Sequence, residues 1–539
     1  AHLLYYHQRE AKSQWWEWFH HLELDEDDLI EDTDTMGGLE LVGGPVEDGQ
    51  PLLYTFSFPP QEHKISGSCR DPRTQKTCHV EVDDERGIVT LRRSKERAEE
   101  PLPEALIPSP PIADWDHRNS VERFARAYLD GERGGALTEI LERRPPRARL
   151  DLDVPGAALS LDSSYLFVQG PPGSGKTWQG AKAAVALMRA GRRVGITSLS
   201  HKAIHNFLSG IEREARAQGF AFKGRKKSSG DEDTRFEGEF VDSRDHWSDC
   251  LDEELQLVAG TSWLFAREEF AGYLDTLIVD EAGQVALADV IAVGHAARNL
   301  VLLGDPNQLP QVSQGAMPEE AKASVLQHLL GEETTVPRDR GIFLAETWRL
   351  RPELTAFTSD AYYAGRLEHA EITARRSVAA GDGLVFRPVE HEANGQLSQE
   401  EADEVAAAIE ALLGTEYTSD DGSTRPLGVE DVLVVTPYNA QVRALKQAVR
   451  EGVRVGTVDK FQGQEAPVVI VSLASSSAEE APRGLGFVFN RNRINVATSR
   501  AQCRVELVCS PRLLDADCRT IEEMRLVNAL CRFVELARR

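Results

Sequence analysis

The chain has 539 residues, with 61 Lys+Arg against 87 Asp+Glu and a formal net charge of −26. At about 150 residues per domain that predicts three or four domains with sizeable cores. No apolar run approaches the ~18–20 residues that cross a bilayer, the first ten residues lack a basic segment ahead of an apolar one, and the seven Cys have no short regular spacing; a membrane protein, a secretory signal and a disulfide scaffold are therefore not expected, and a reducing cytoplasm is.

The acidic total by itself speaks against a polyanionic partner, because phosphate binding rests on Lys and Arg. The excess is lopsided, however. Residues 1–60 hold 13 acids against Arg9 and Lys12, and a groove elsewhere needs only local positive charge. The first residue is Ala1 rather than Met and falls inside a predicted helix, from which a longer parent polypeptide is expected.

That first helix runs to about residue 24 and carries Trp15, Trp16, Trp18 and Phe19, read as a packing face rather than a base-stacking platform. An acidic, Gly-rich connector is expected over 25–49. The period then changes to two: Tyr54, Phe56 and Phe58 alternate with Thr55 and Ser57, and Val80 and Val82 lead through a turn at 83–87 to a strand at 88–91. This predicts a hairpin-containing β module, a small barrel. Clustered prolines make 101–112 the expected linker.

Beyond it, short apolar runs alternate with helical stretches. The predicted strands are 165–168, 194–197, 276–279, 300–303 and 342–344, then 384–386, 432–435, 453–458, 468–473 and 505–508. Such a rhythm predicts an α/β fold with two lobes, each a parallel sheet flanked by helices. The expected domains are 1–112 (helix, connector and β-rich accessory module), 113–380 (first lobe) and 381–539 (second lobe with a C-terminal helix). Residues 220–254 interrupt the first lobe. They open with Lys223, Arg225, Lys226 and Lys227 and turn acidic, so a mobile surface insertion is expected there.

The sharpest signal is Gly170-Pro171-Pro172-Gly173-Ser174-Gly175-Lys176-Thr177, which matches G-x-x-x-x-G-K-[ST] between a predicted strand and a predicted helix. Glycines let backbone N–H groups wrap phosphate oxygens, and the helix N-terminus adds a favourable dipole. Lys176 reaches β/γ oxygens and the Thr177 hydroxyl suits Mg²⁺. About 100 residues later, a buried strand ends in Asp280-Glu281. Asp280 suits Mg²⁺ coordination through water, and Glu281 suits deprotonating an attacking water. The expected ligands are therefore ATP and Mg²⁺, and the expected reaction is hydrolysis.

From here the sequence resembles a superfamily 1 helicase over about 165–509, with the family's motifs in order and two RecA-like lobes implied. Asp280-Glu-Ala-Gly-Gln284 resembles its acidic motif, and Gly304-Asp-Pro-Asn-Gln-Leu-Pro-Gln311 the next, which implies that Gln308 senses the γ-phosphate. Glu346-Thr-Trp-Arg-Leu-Arg-Pro352 implies that Arg349 binds that phosphate. Val455-Gly-Thr-Val-Asp-Lys-Phe-Gln-Gly-Gln-Glu465 implies that Glu465 contacts the nucleotide sugar, and Asn495-Val-Ala-Thr-Ser-Arg-Ala501 that Arg500 is the arginine finger. Strand contacts implied by the resemblance are Ser198, Ser200 and Thr261 on the first lobe and Thr436 and Thr457 on the second, hydroxyl groups that grip phosphate without reading sequence.

The most similar branch includes the nonsense-mediated-decay and Okazaki-fragment helicases, generally 5′→3′ movers. The implied function is an ATP-dependent DNA helicase or translocase on single-stranded DNA, with an RNA helicase, or an ATP-gated nucleic-acid-binding switch that does not unwind, as alternatives. The family's adenine-reading Gln segment has no counterpart in 151–160. No C-x₂-C spacing suggests a metal cluster, and no nuclease signature is present. The organisation is also similar to the helicase half of bacterial fusions with a RecB-like nuclease, which implies a nuclease module upstream.

Overall fold

The computed structural model describes the chain except residues 50, 62, 85, 312, 462, 483, 485, 487–489 and 538–539. It forms two units. One comprises Ala1–Arg126 with Ser229–Asp233 and Ser313–Lys322; the other comprises Ala127–Ser228, Thr234–Val312 and Ala323–Arg539.

The first unit holds the helix Tyr6–Glu23 and six antiparallel strands: β1 (Glu40–Glu47), β2 (Pro51–Ser57), β3 (Gly67–Arg70), β4 (Thr77–Asp83), β5 (Ile88–Ser94) and β6 (Ile107–Pro108). Their order is β1-β2-β5-β4-β3-β6. Alternation sends Leu52, Tyr54 and Phe56 of β2 inward to meet Val80, Val89 and Leu91. A two-way bridge between Met36 and Leu106, with N–H···O distances of 2.8 Å each way, joins the chain entering β1 to the chain entering β6.

Two sequence expectations change here. The acidic stretch 25–49 is not a bare connector: it contains the helix Glu26–Glu31, capped by the Asp25 carboxylate on the Asp28 N–H at 3.0 Å, and all of β1. The proline-rich 101–112 is not a linker, since Leu106 and Ile107 are buried and β6 is an edge strand. Pro108 is tolerated there because an edge position needs no donor on its outer side. On the first helix, Trp18 packs towards Ala105 and Ile107 and its indole N–H donates to Pro108 O at 3.2 Å. Trp16 and Phe19 stay exposed, so only part of the aromatic cluster is a packing face.

The second unit contains two all-parallel sheets. The first comprises β7 (Tyr165–Gln169), β8 (Val194–Thr197), β9 (Gly224–Lys227), β10 (Val241–Arg244), β11 (Leu257–Ala259), β12 (Leu274–Val279), β13 (Ala297–Gly304) and β14 (Ile342–Phe343), in the order β10-β9-β11-β8-β12-β13-β7-β14. The second comprises β15 (Gly383–Pro388), β16 (Val432–Thr436), β17 (Arg454–Thr457), β18 (Ala466–Ser472) and β19 (Ala501–Cys509), in the order β15-β19-β18-β16-β17. Both faces of the second sheet are covered, which explains its unbroken apolar strands. Val432, Val434, Val468 and Ile470 face one core, while Leu433, Val435, Val469 and Val471 face the other.

The insertion 220–254 is not a mobile excursion. Its basic run is β9, and with β10 it extends the first sheet by two parallel strands. Lys226 is buried, its ammonium against His201 Nδ1 at 3.0 Å, while Lys223 pairs with Glu254 at 2.6 Å and Arg225 with Asp252 at 3.5 Å. The charges that suggested a free surface knot are used internally. The lobe boundary also moves. Leu350, Leu354, Phe357, Tyr362, Tyr363 and Leu367 pack into the second sheet's core with Val469 and Val505, so that lobe recruits its chain well before residue 381.

Candidate active site

The phosphate-type loop leaves β7 and enters the helix Lys176–Arg189. Gly173 and Gly175 have φ of +72° and +76°, the left-handed region that glycine occupies without steric cost. Gly170 anchors the loop's start through its N–H to Gly304 O at 2.9 Å. Behind the loop, Thr347 Oγ1 donates to Pro172 O at 2.8 Å and the Trp348 N–H to Gly173 O at 2.9 Å. A methyl on Gly173 would come within 2.5 Å of Arg349 Cβ and 2.7 Å of Thr347 Oγ1. Gly173→Ala is therefore expected to lower the melting temperature and to weaken nucleotide-induced stabilisation, both read from melts with and without ATP.

Strand β12 delivers the two carboxylates. Glu281 has φ of +53°, a left-handed conformation uncommon outside glycine, and its Oε2 lies 3.7 Å from Lys176 Nζ. Asp280 is buried; burial, then the neighbouring Glu281 charge, pushes its carboxyl above the usual range, and Lys176 pulls it back. Gln308, in the loop after β13, donates from Nε2 to Asp305 Oδ2 at 3.1 Å. Arg349 Nε donates to Glu465 Oε2 at 2.6 Å and its Nη1 to Ser499 O at 3.1 Å. Burial alone would raise the Glu465 carboxyl, but Arg349 and the Gln502 amide, 2.8 Å away, bring it below its ordinary value. Arg500 is buried, and among the described residues its guanidinium's one hydrogen bond is a long contact from Nη1 to Gln464 O at 3.5 Å. Burial, then Arg349, pushes its guanidinium down to about 9, so it stays cationic at neutral pH.

These groups share one cavity of about 760 Å³, lined by residues 171–178 with Asp280, Glu281, Gln308, Arg349, Glu465 and Arg500. Three polar atoms of lining residues are buried with no hydrogen-bond partner among the described residues: Ser174 Oγ, Asp280 Oδ1 and Arg500 Nε. Leaving such atoms unpaired costs ~1–3 kcal/mol each. A hydroxyl and a guanidinium suit anionic oxygens, and a carboxylate lining the same cavity as Thr177 suits a hard divalent cation. The donor set fits a magnesium–triphosphate.

The hydroxyls assigned to strand contacts fall into separate places. Ser198 and Thr261 line a smaller pocket of about 210 Å³, and Ser198 also borders the large cavity, with its Oγ donating to Asp280 O at 3.3 Å. Ser200 lines the large cavity, but its Oγ caps the helix His201–Ala217. Thr436 and Thr457 are register partners at the C-terminal ends of β16 and β17. Thr436 is wholly buried, so as folded it presents no hydroxyl to a strand; Thr457 is half-buried. Gln462, in the motif ending at Glu465, lies outside the described residues. All seven cysteines are free, and no group of three or more potential ligands is arranged for a metal ion among the described residues.

Two residues escape the sequence reading. Trp178 and Trp348 line the cavity with 54% and 55% of their surface exposed, and aromatic faces of that kind stack on bases. Their positions beside the Gly-rich loop and beside Arg349 were visible, but their exposure was not.

Profiles described as AAA domain match residues 156–332 and 321–512. A probable helicase of Dictyostelium discoideum is 27% identical over 280 residues, which cover 49% of this chain and 28% of that protein. The DNA replication ATP-dependent helicase/nuclease DNA2 of Gallus gallus is 25% identical over 453 residues, 81% of this chain and 43% of that protein. Among solved structures, the Arterivirus nonstructural protein 10 (helicase) aligns over 90% of this chain and 78% of that one, at 16% identity and a TM-score of 0.42. The chain spans less than half the length of these two curated relatives. Two parallel sheets around a P-loop and an adjacent acidic pair define a two-lobed P-loop nucleotide enzyme. Within that class, the ordered motifs and the sequence matches make the chain similar to the superfamily 1 helicases of the 5′→3′ branch.

Proposed function

We propose that the chain is an ATP-dependent DNA helicase or translocase, moving 5′→3′ on single-stranded DNA in a reducing cytoplasm, with a nuclease module in the same polypeptide as a further partner. The supporting observation is one cavity bordered by Lys176 and Glu281 from the first lobe and by Glu465 and Arg500 from the second. Phosphoryl transfer is accelerated chiefly by fixed charge around the γ-phosphate. Thr177 and Asp280 would hold Mg²⁺, which would supply positive charge to neutralise the triphosphate. Glu281 takes the proton from the attacking water as its oxygen bonds to the γ-phosphorus and the bond to the β,γ-bridging oxygen breaks. Lys176, Arg349 and Arg500 stabilise the charge that moves onto the β and γ oxygens, and ADP and phosphate leave.

Arg349 is tied to Glu465 at 2.6 Å. In this reading the nucleotide separates them, Glu465 turning to the sugar hydroxyls and Arg349 to the γ-phosphate. The base sits on Trp178 and Trp348 in place of the missing Gln reader. Stacking accepts every base face, so GTP is expected to be hydrolysed within about tenfold of ATP.

The test is phosphate release with and without single-stranded DNA or RNA, followed by displacement from duplexes bearing a 5′ or a 3′ overhang. Stimulation by DNA and displacement from the 5′ overhang are expected. Stimulation by RNA alone would make the chain an RNA helicase, and ATP-modulated strand binding without displacement would make it a switch. Strand-independent turnover would remove the motor altogether.

A further inference from the structure

Tyr363 directly follows the helix Pro352–Tyr362 and is fully buried. Its hydroxyl donates to Asp305 Oδ2 at 2.6 Å and accepts from Asn495 Nδ2 at 2.9 Å. Burial, then the Asp305 charge, holds the phenol well above its ordinary value, so it is a neutral donor at every working pH. Asp305 Oδ2 is the same oxygen that accepts from Gln308 at 3.1 Å. Asp305 Oδ1 accepts from the Asn307 N–H at 3.1 Å, and Asn495 Nδ2 also donates to Asn307 O at 2.8 Å. Asn495 in turn lies in the helix Arg491–Thr498, which ends just ahead of Arg500.

One carboxylate oxygen therefore carries two donors. One is the side chain assigned to sense the terminal phosphate. The other is a phenol bonded to the helix that precedes the arginine finger. When Gln308 turns towards a phosphate, Oδ2 is left to Tyr363 alone. Buried polar networks of this kind shift between discrete bonded arrangements rather than stretching smoothly.

We propose that Tyr363 is a positioning residue that couples Gln308 to Arg500 through Asp305 and Asn495. The arginine is brought to its working position only when Gln308 meets a terminal phosphate. This inference rests on the ATPase reading above and adds the element that links its two lobes.

Tyr363→Phe removes one oxygen and keeps the ring, whose centroid lies 6.2 Å from that of Phe343. The expected result is a strand-stimulated kcat about tenfold lower, with the KM for ATP within about twofold of the parent. Asn495→Ala is expected to do the same, and the double variant to be no worse than either single one, because both cut the same link. Melting curves give the folded fraction of each variant. An unchanged kcat, a loss explained by the unfolded fraction, or losses that multiply in the double variant would each overturn the coupling. If the parent protein shows no hydrolysis of ATP, the ATPase reading fails. If it does and Tyr363→Phe matches it, only the coupling fails.

Discussion

Glu281→Gln is expected to stop turnover while leaving nucleotide bound, with phosphate release at least ~10³-fold slower, within the range for loss of a general base. The amide keeps the shape of the side chain at a backbone position already held at a φ of +53°, so the loop has no reason to move. Two electrostatic changes follow. Lys176 loses the carboxylate 3.7 Å from its ammonium and is freer to meet phosphate. Asp280 loses the neighbouring charge that helps to raise its carboxyl and becomes the better cation ligand. Affinity for ATP is therefore expected to equal or exceed that of the parent, as measured with a fluorescent ATP analogue. Lys176→Ala should do the reverse, losing affinity with turnover. Residual hydrolysis above about a tenth of the parent rate would remove Glu281 from the role of base.

Much of this site was legible because its chemistry is local. A strand, a Gly-rich loop and a Lys-Thr pair are contiguous, and their backbone demands are written in the residue types. β7 and the helix Lys176–Arg189 flank the loop as the periodicity requires. The strands of the second sheet were readable for a related reason, since burial on both faces leaves continuous Val and Ile runs. What was not legible depends on long-range pairing. Gly-Arg-Lys-Lys reads as exposed charge until β11 and β10 are laid beside it and Lys226 is buried. Residues 350–367 follow the first lobe in sequence yet pack on the second. Tyr363 looks like any aromatic at a helix end until Asp305 and Asn495, 58 and 132 residues away, converge on its hydroxyl.

Arg500→Met is expected to separate catalysis from stability, because the two respond to that guanidinium in opposite directions. Supplying such an arginine to phosphoryl transfer is worth ~10³–10⁵ in rate, so kcat should fall by that order while the KM for ATP moves little. The fold should not weaken. Arg500 is buried, its Nε has no partner among the described residues, and burial with Arg349 has pushed it down to about 9. A cation whose folded value lies below its unfolded one destabilises the native state wherever both are charged, and the penalty fades only as pH climbs above about 9. Methionine keeps most of the volume and removes the desolvated charge, an exchange that is often neutral or stabilising. The melting temperature at neutral pH without nucleotide should therefore equal or exceed that of the parent. Added ATP should reverse the order, because only the parent guanidinium gains a phosphate partner. Lysine is not an adequate substitute: it keeps the charge but loses the planar fork, and Arg500→Lys should recover little of the lost rate. A several-degree drop in melting temperature for Arg500→Met would show that the guanidinium holds the fold together. A kcat within tenfold of the parent would show that it does not serve the reaction.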